Sequence, residues 1–230
     1  MIRAALTVAL MAGPAGAEIT GARYAEPTSA YGHGAVAGGE YACLIVENAQ
    51  DSHGVTWENA VFEDTAPRLA DLDGDGTLEV VAVVSGFRTG ARVQVVDLVN
   101  GRPAAVASTA PIGRRHRWLA IAGIADLDGD GRSEVAYVDR PHLARTLRVV
   151  EVHRSGEAWQ ITEEAAAPGH TNHRYGAPDI EGGVFDCGEG PEIITADADW
   201  TRVQATRLKD GALTTRDLGA YTSPDSLRCR

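Results

Sequence analysis

Two short segments of this sequence hold carboxylates at a spacing suited to a bound cation. Asp71-Leu72-Asp73-Gly74-Asp75-Gly76-Thr77-Leu78-Glu79 and Asp126-Leu127-Asp128-Gly129-Asp130-Gly131-Arg132-Ser133-Glu134 each place acids at the first, third and fifth positions. Glycine follows at the sixth and glutamate at the ninth. Three acidic side chains in one turn repel each other and cost stability unless a cation lies between them. A hard divalent ion fits, and Ca2+ best, since it accepts about six to eight oxygens in flexible geometry where Mg2+ demands an octahedron. The ligand set of the first loop reads as Asp71, Asp73, Asp75 and Glu79 with the carbonyl of Thr77. That of the second reads as Asp126, Asp128, Asp130 and Glu134 with the carbonyl of Arg132. About two calcium ions are implied. Gly76 and Gly131 permit the sharp bend that turns successive carboxylates inward. The plain alternative is two acidic surface turns without metal, and the duplication favours the metal.

The loops are not EF-hands. That motif takes a bidentate glutamate at the twelfth position and is flanked by helices, whereas these twelfth positions are Ala82 and Tyr137, both in strand-like runs. Other chemistry-bearing residues are more dispersed. Arg114-Arg115-His116-Arg117-Trp118 and His170-Thr171-Asn172-His173-Arg174 stand ahead of successive loop positions, and Glu63-Asp64 stands ahead of the first. His33, Asp64, His116, His173 and Arg174 form a candidate ligand site at one end of the fold, against the simpler reading of ion pairs and solvated turns. His170 and His173, three apart, are a weak zinc signal without a third ligand. No Gly-x-Ser-x-Gly elbow, phosphate loop or His-Glu-x-x-His is present. An acid–base hydrolase pair stays open.

The elements that must position these residues repeat. Leu69 to Val80 aligns with Ile124 to Val135 at a step of 55, and a degenerate third copy runs Gly188-Glu189-Gly190-Pro191-Glu192-Ile193. Tyr31-Gly32 is echoed by Tyr175-Gly176, which suggests a shortened first copy. Val80 to Val84 is a continuous, mostly β-branched run suited to a strand covered on both faces. Arg92 to Val95 and Leu147 to Val149 alternate, and each precedes a Gly-bearing turn, Asn100-Gly101 or Ser155-Gly156. About four short strands per copy, with no long amphipathic helix, predict an all-β chain. Such a repeat suits the four-stranded blades of a small β-propeller.

The phrase Ala-Asp-Leu-Asp-Gly-Asp-Gly followed by Glu-Val-Val at 79–81 or Glu-Val-Ala at 134–136 resembles the FG-GAP or VCBS repeat, the integrin-type propeller blade with a calcium loop between two strands. The likeness covers two copies well, a third weakly and the first barely. It implies a single repeat domain over 18–230, with copies near 18–61, 62–116, 117–173 and 174–230. The ring has about four blades closed by the C-terminal tail, or five shorter ones, or it is a fragment needing a partner. By fold analogy the function is that of a non-enzymatic scaffold with structural Ca2+, binding a protein or glycan at one face. The alternative is a polysaccharide lyase or hydrolase built on a propeller. A calcium-buffering or assembly module is a third reading.

The 230 residues suit one full-sized domain or two small ones. With 32 acidic against 21 basic side chains, the formal charge of −11 argues against a nucleic-acid partner. Residues 1–17 read as a secretory signal peptide: a basic start, an apolar run from Ala4 to Ala12, and Ala15-Gly16-Ala17 before Glu18. The run is too short to span a bilayer, which takes about 20 apolar residues. The chain is therefore expected to be exported, periplasmic or secreted. In an oxidising compartment Cys43, Cys187 and Cys229 can form at most one internal disulfide, expected to be Cys187–Cys229, with Cys43 left as a buried thiol.

Overall fold

Every residue from Glu79 to Gly86 is buried, so this strand needs a layer on each face. The computed structural model, which describes residues 18–229, supplies both layers; the expected signal segment at 1–17 lies outside the described residues. The chain is all-β. Its strands run β1 (Ile19–Thr28), β2 (Glu40–Asn48), β3 (Ser52–Val55), β4 (Ala60–Phe62), β5 (Arg68–Ala70), β6 (Glu79–Gly86), β7 (Gly90–Val99) and β8 (Arg102–Ser108). They continue as β9 (Leu119–Ala125), β10 (Ser133–Asp139), β11 (Thr146–Ser155), β12 (Ala158–Pro168), β13 (His170–Thr171), β14 (Gly183–Asp186), β15 (Pro191–Asp197), β16 (Arg202–Lys209) and β17 (Ala212–Ala220). Among the described residues the single helical element is the 3-10 turn Pro224–Ser226.

All pairings are antiparallel and mostly between neighbours in sequence. Residues 119–168 form a four-stranded sheet in the order β12-β11-β10-β9, and residues 170–220 form a second in the order β13-β15-β16-β17, with β14 also on β15. The N-terminal part departs from the expected separate blades. The short strand β4 pairs with β2 through Tyr41↔Phe62 and with β6 through Phe62↔Val84, so the first two copies make one eight-stranded sheet. The sheets do not close on themselves.

Period-two alternation decides which layer each side chain meets. On β6, Val80, Ala82 and Val84 pack toward Leu44, Val46 and Phe62, while Val81 and Val83 pack toward Leu119, Ile121 and Val135. On β10, Val135 and Tyr137 join that second cluster, and Ala136 and Val138 meet Ile193 and Leu208 of the last sheet. The far face of the last sheet, carrying Ile194, Ala196, Val203 and Ala205, is covered by the C-terminal segment through Leu227. A disulfide joins Cys187 to Cys229 and fixes that segment; Cys43 is a buried free thiol. The first and last copies meet through loops, with Ala37 N–H donating to Ala177 O at 3.1 Å and Gly176 N–H to Ala35 O at 2.9 Å. Truncating one of these fully buried aliphatics, such as Ile193, to alanine would cost about 2–5 kcal/mol through lost burial and the cavity left behind.

Candidate metal centres and an aromatic pocket

The acidic loops sit between paired strands, 71–78 between β5 and β6 and 126–132 between β9 and β10. Each is wound by its own carboxylates. Asp71 accepts the N–H of Gly74 at 2.8 Å and of Gly76 at 3.0 Å; Asp126 accepts those of Gly129 at 2.7 Å and Gly131 at 3.0 Å. Gly76 and Gly131 have φ of 89° and 90°, a conformation that β-carbon sterics disfavour. Asp73 takes the N–H of Asp75, and Asp128 that of Asp130. Asp75 is turned to Thr77, whose N–H and hydroxyl it accepts at 2.8 and 2.6 Å, and these bonds hold its carboxyl below the usual range. Asp130 likewise accepts the N–H of Arg132.

The ninth-position glutamates lie deeper. Glu79 and Glu134 are each 1% exposed, and each spans its loop by accepting the N–H of Leu72 or Leu127, at 2.8 and 2.6 Å. Neither has a cationic partner among the described residues, and Glu134 Oε1 is buried without a hydrogen-bond partner. Burial, reinforced by Asp73, Asp97 and Asp75 and opposed by the Leu72 N–H, pushes Glu79 up to about 8. Burial, with Asp128, Glu164 and Asp126, pushes Glu134 up to about 7. Carboxylate oxygens of Asp71, Asp73 and Glu79 lie within 4.8 Å of one another, as do those of Asp126, Asp128 and Glu134, and of Asp130, Glu134 and Glu151. A cation-sized cluster of hard oxygens with an unsatisfied buried member suits a divalent ion. The loops also touch: Ser133 Oγ donates to Asp71 O at 3.2 Å, and Arg154 Nη1 lies 3.5 Å from Asp73.

The third copy solves the same problem without that cluster. Glu192, at 0% exposure, holds the strand position of Glu79 and Glu134, but Arg207 Nε and Arg216 Nη2 bond it at 2.8 and 2.5 Å. Burial alone would raise its carboxyl; the bonds from Arg216 and Arg207 outweigh burial and hold it low.

At the opposite ends of the same strands, loops from all four copies converge. His33 and His116 stack with ring centroids 5.1 Å apart, and Tyr31 packs edge-on to both. His33 Nδ1 lies 2.6 Å from Glu63, which also accepts the Ser85 hydroxyl at 2.6 Å. Trp118 donates its indole N–H to Glu63 O and packs against His142 and His173, which bond each other at 3.0 Å. Burial, then the neighbouring His173 and His33, pushes His142 down to about 4; burial also lowers His173. His33, His116, Trp118, His142 and Tyr175 line a cavity of about 220 Å³ with Arg117 and Arg140. His116 and Arg140 have φ of 54° and 49°, strain of the kind that collects at binding sites.

Of the five expected ligand-site residues, the structure brings His33 and His116 together and sets His173 behind His142. Asp64 points elsewhere, buried against Arg68 at 2.6 Å. Arg174 lies over the Trp200 ring, 3.8 Å from its centroid. His170 bonds Thr195 rather than joining His173, and no three imidazoles among the described residues form a metal-sized group. Sequence reading missed His142 and Tyr175 as site members, although the echo between Tyr31-Gly32 and Tyr175-Gly176 pointed at the second. No protein-family model matches the chain, and a search of curated proteins finds no match.

Proposed function

We propose that this chain is an exported, calcium-stabilised scaffold of the FG-GAP/VCBS type, a small β-propeller or an arc of one, that binds a protein or glycan and catalyses no reaction. The carrying observation is the contrast among three equivalent buried glutamates. Glu192 has two guanidinium partners, whereas Glu79 and Glu134 have none and instead face clustered aspartates. A divalent ion in each loop supplies the missing positive charge. Asp71, Asp73 and Glu79 would hold one ion, and Asp126, Asp128 and Glu134 the other, with Asp130 and Glu151 close enough to Glu134 to assist at the second. When bound, the ion neutralises the carboxylates and locks the turn between two strands. Binding to the folded state alone then raises stability by mass action.

Calorimetric titration of the chelator-treated protein with Ca2+, and melting with and without EDTA, tests the reading. About two sites and a melting rise of several degrees are expected, from roughly 2–4 °C per kcal/mol at this size. A shift below about one degree, or an equal response to Mg2+, would sink it. Mapping the first residue of protein recovered outside the cytoplasm tests export; the expected residue is Glu18. A glycan array run with a reducing-sugar assay separates the scaffold from a polysaccharide-acting enzyme, which would release new chain ends.

A further inference from the structure

This chain is acidic, yet its unpaired arginines are concentrated in one place. Among the described residues twelve arginines form ion pairs and six do not: Arg88, Arg92, Arg102, Arg114, Arg115 and Arg117. All but Arg102 sit on two segments, the turn after β6 with the start of β7, and the loop before β9. Backbone bonds lace these together: Gly113 N–H to Thr89 O at 2.7 Å and Ala91 N–H to Arg117 O at 2.9 Å. Arg117 lines the aromatic cavity, its Nη1 bonded only to the carbonyl of His116. Arg115 lies over Tyr31 and, with Arg88 and Arg92, borders the adjoining depression at Phe87. In a chain of formal charge −11, such a patch creates a local positive field over one small site.

The cavity has its own chemistry. Trp118 and His142 lie nearly parallel, and Tyr175, 61% exposed, stands edge-on to His142 at 5.2 Å, so the walls are flat rings with an open rim. At about 220 Å³ the space is below the roughly 300–1,000 Å³ of drug-sized sites and suits one ring. His142 and His173 are held neutral by burial, so they offer polar edges and no charge. Arg140 is already bound by Asp139 at 2.7 and 2.8 Å. One free guanidinium at the cavity matches a singly charged, planar anion, for which its fork geometry is suited.

We propose that this end of the molecule binds a carboxylate carried on a six-membered ring, the ring lying against Trp118, His142 and Tyr175 and the carboxylate meeting Arg117. The inference rests on the scaffold reading and names the ligand class of its binding face. The ring acid is either free or the terminal acidic sugar of a polysaccharide. A polysaccharide would carry its next carboxylates across Arg114, Arg115 and Arg88.

Isothermal titration of the calcium-loaded protein at low salt, with benzoate, glucuronate and tri-galacturonate, tests this against benzyl alcohol and glucose. The acids should bind saturably and the neutral partners at least about tenfold more weakly, the worth of one charge-assisted bond. Arg117→Gln should lose about tenfold in acid affinity and Arg102→Gln none, both keeping the calcium-dependent melting shift. A trimer that binds tighter than the monomer, with a steeper salt dependence, identifies the polysaccharide; equal binding identifies the free acid. Equal binding of acids and neutral rings, or an unaffected Arg117→Gln, overturns the proposal. So does the absence of acid binding in a protein whose calcium shift is intact. Loss of the calcium shift instead would count against the scaffold reading.

Discussion

Arg207 Nε lies 2.8 Å from Glu192, across the same strand pair in which Glu134 faces Glu151 in the preceding sheet. One sheet thus places a cation opposite its buried glutamate where the other places a second acid. Such a pair of sheets differs in what must balance the buried charge, a fixed guanidinium or an exchangeable ion. Removing one member of a buried pair costs about 3–5 kcal/mol. Arg207 and Arg216 are 35% and 51% exposed, so solvent screens the effect. Glu192→Gln should therefore cost about 1–3 kcal/mol, equally with and without calcium. Glu134→Gln should leave the metal-free protein as stable or more so and remove part of the calcium increment. Melting curves of both variants in EDTA and in Ca2+ decide this. A calcium-dependent penalty in Glu192→Gln would show that the third loop also depends on the ion.

Stability of the metal-free protein should depend on pH in two opposed windows. Glu79 and Glu134 rise to about 8 and about 7 in the folded chain, above their unfolded value near 4.3. The folded state then holds more protons than the unfolded one, so stability falls as pH rises from about 5 to 8. His142 and His170 are pushed down to about 4 by burial, so the unfolded state takes up more protons below about 6.5 and stability falls as pH drops toward 4. Urea midpoints from pH 4 to 8.5 in EDTA should peak between these limbs. Saturating Ca2+ should abolish the alkaline limb alone. A metal-free protein as stable at pH 8 as at pH 6 would contradict the buried, uncompensated glutamates.

What the sequence made legible was local. The loops show because one motif carries ligands, glycine and strand start within nine residues. The strands show because burial on both faces of β6 and β10 leaves runs without polar residues. The fusion of the first two copies does not show, since it depends on the three-residue strand Ala60–Phe62, in which Phe62 pairs on both sides. Nor does His142, which follows β10 and reaches His173 only because two sheets stack there. Asp64 looked available but is satisfied by Arg68, and Arg174 by Trp200 and Glu181. The compensation of Glu192 does not show either, because its guanidinium partners lie 15 and 24 residues away.

The C-terminal segment should behave as a removable cover. Leu227 is 1% exposed over Ile194 and Val203, and the Cys187–Cys229 bond closes a loop with a sequence separation of 42. A loop of that size corresponds to about 4 kcal/mol at most by chain entropy, less in practice. Cys229→Ser should lower stability by about 2–4 kcal/mol, read as a melting drop of roughly 4–16 °C. Reductant should reproduce the drop in the parent protein and add nothing in the variant. Cys43 should react with a thiol reagent only on unfolding. An unchanged melting temperature after confirmed reduction would mean the packing of Leu227 holds the segment by itself.

Gly90 positions the arginine loop, and substituting it should separate folding from binding. Its φ is 74°, and a β-carbon there would collide with the carbonyl oxygen of Arg114 and crowd that of Arg117 at 3.1 Å. The backbone of the loop passes this close because Ala91 N–H bonds Arg117 O and Gly113 N–H bonds Thr89 O. Gly90→Ala therefore imposes left-handed strain of about 1–2 kcal/mol and pushes the 113–117 loop outward. The acidic loops lie at the other end of β6, whose eight residues span about 26 Å. The variant should melt several degrees lower, keep its full calcium increment, and lose acid binding at Arg117. Parallel calcium and benzoate titrations read the two ends independently. Retained acid affinity would show that the loop adapts without moving Arg117, and loss of the calcium increment would show that the two ends are coupled through β6.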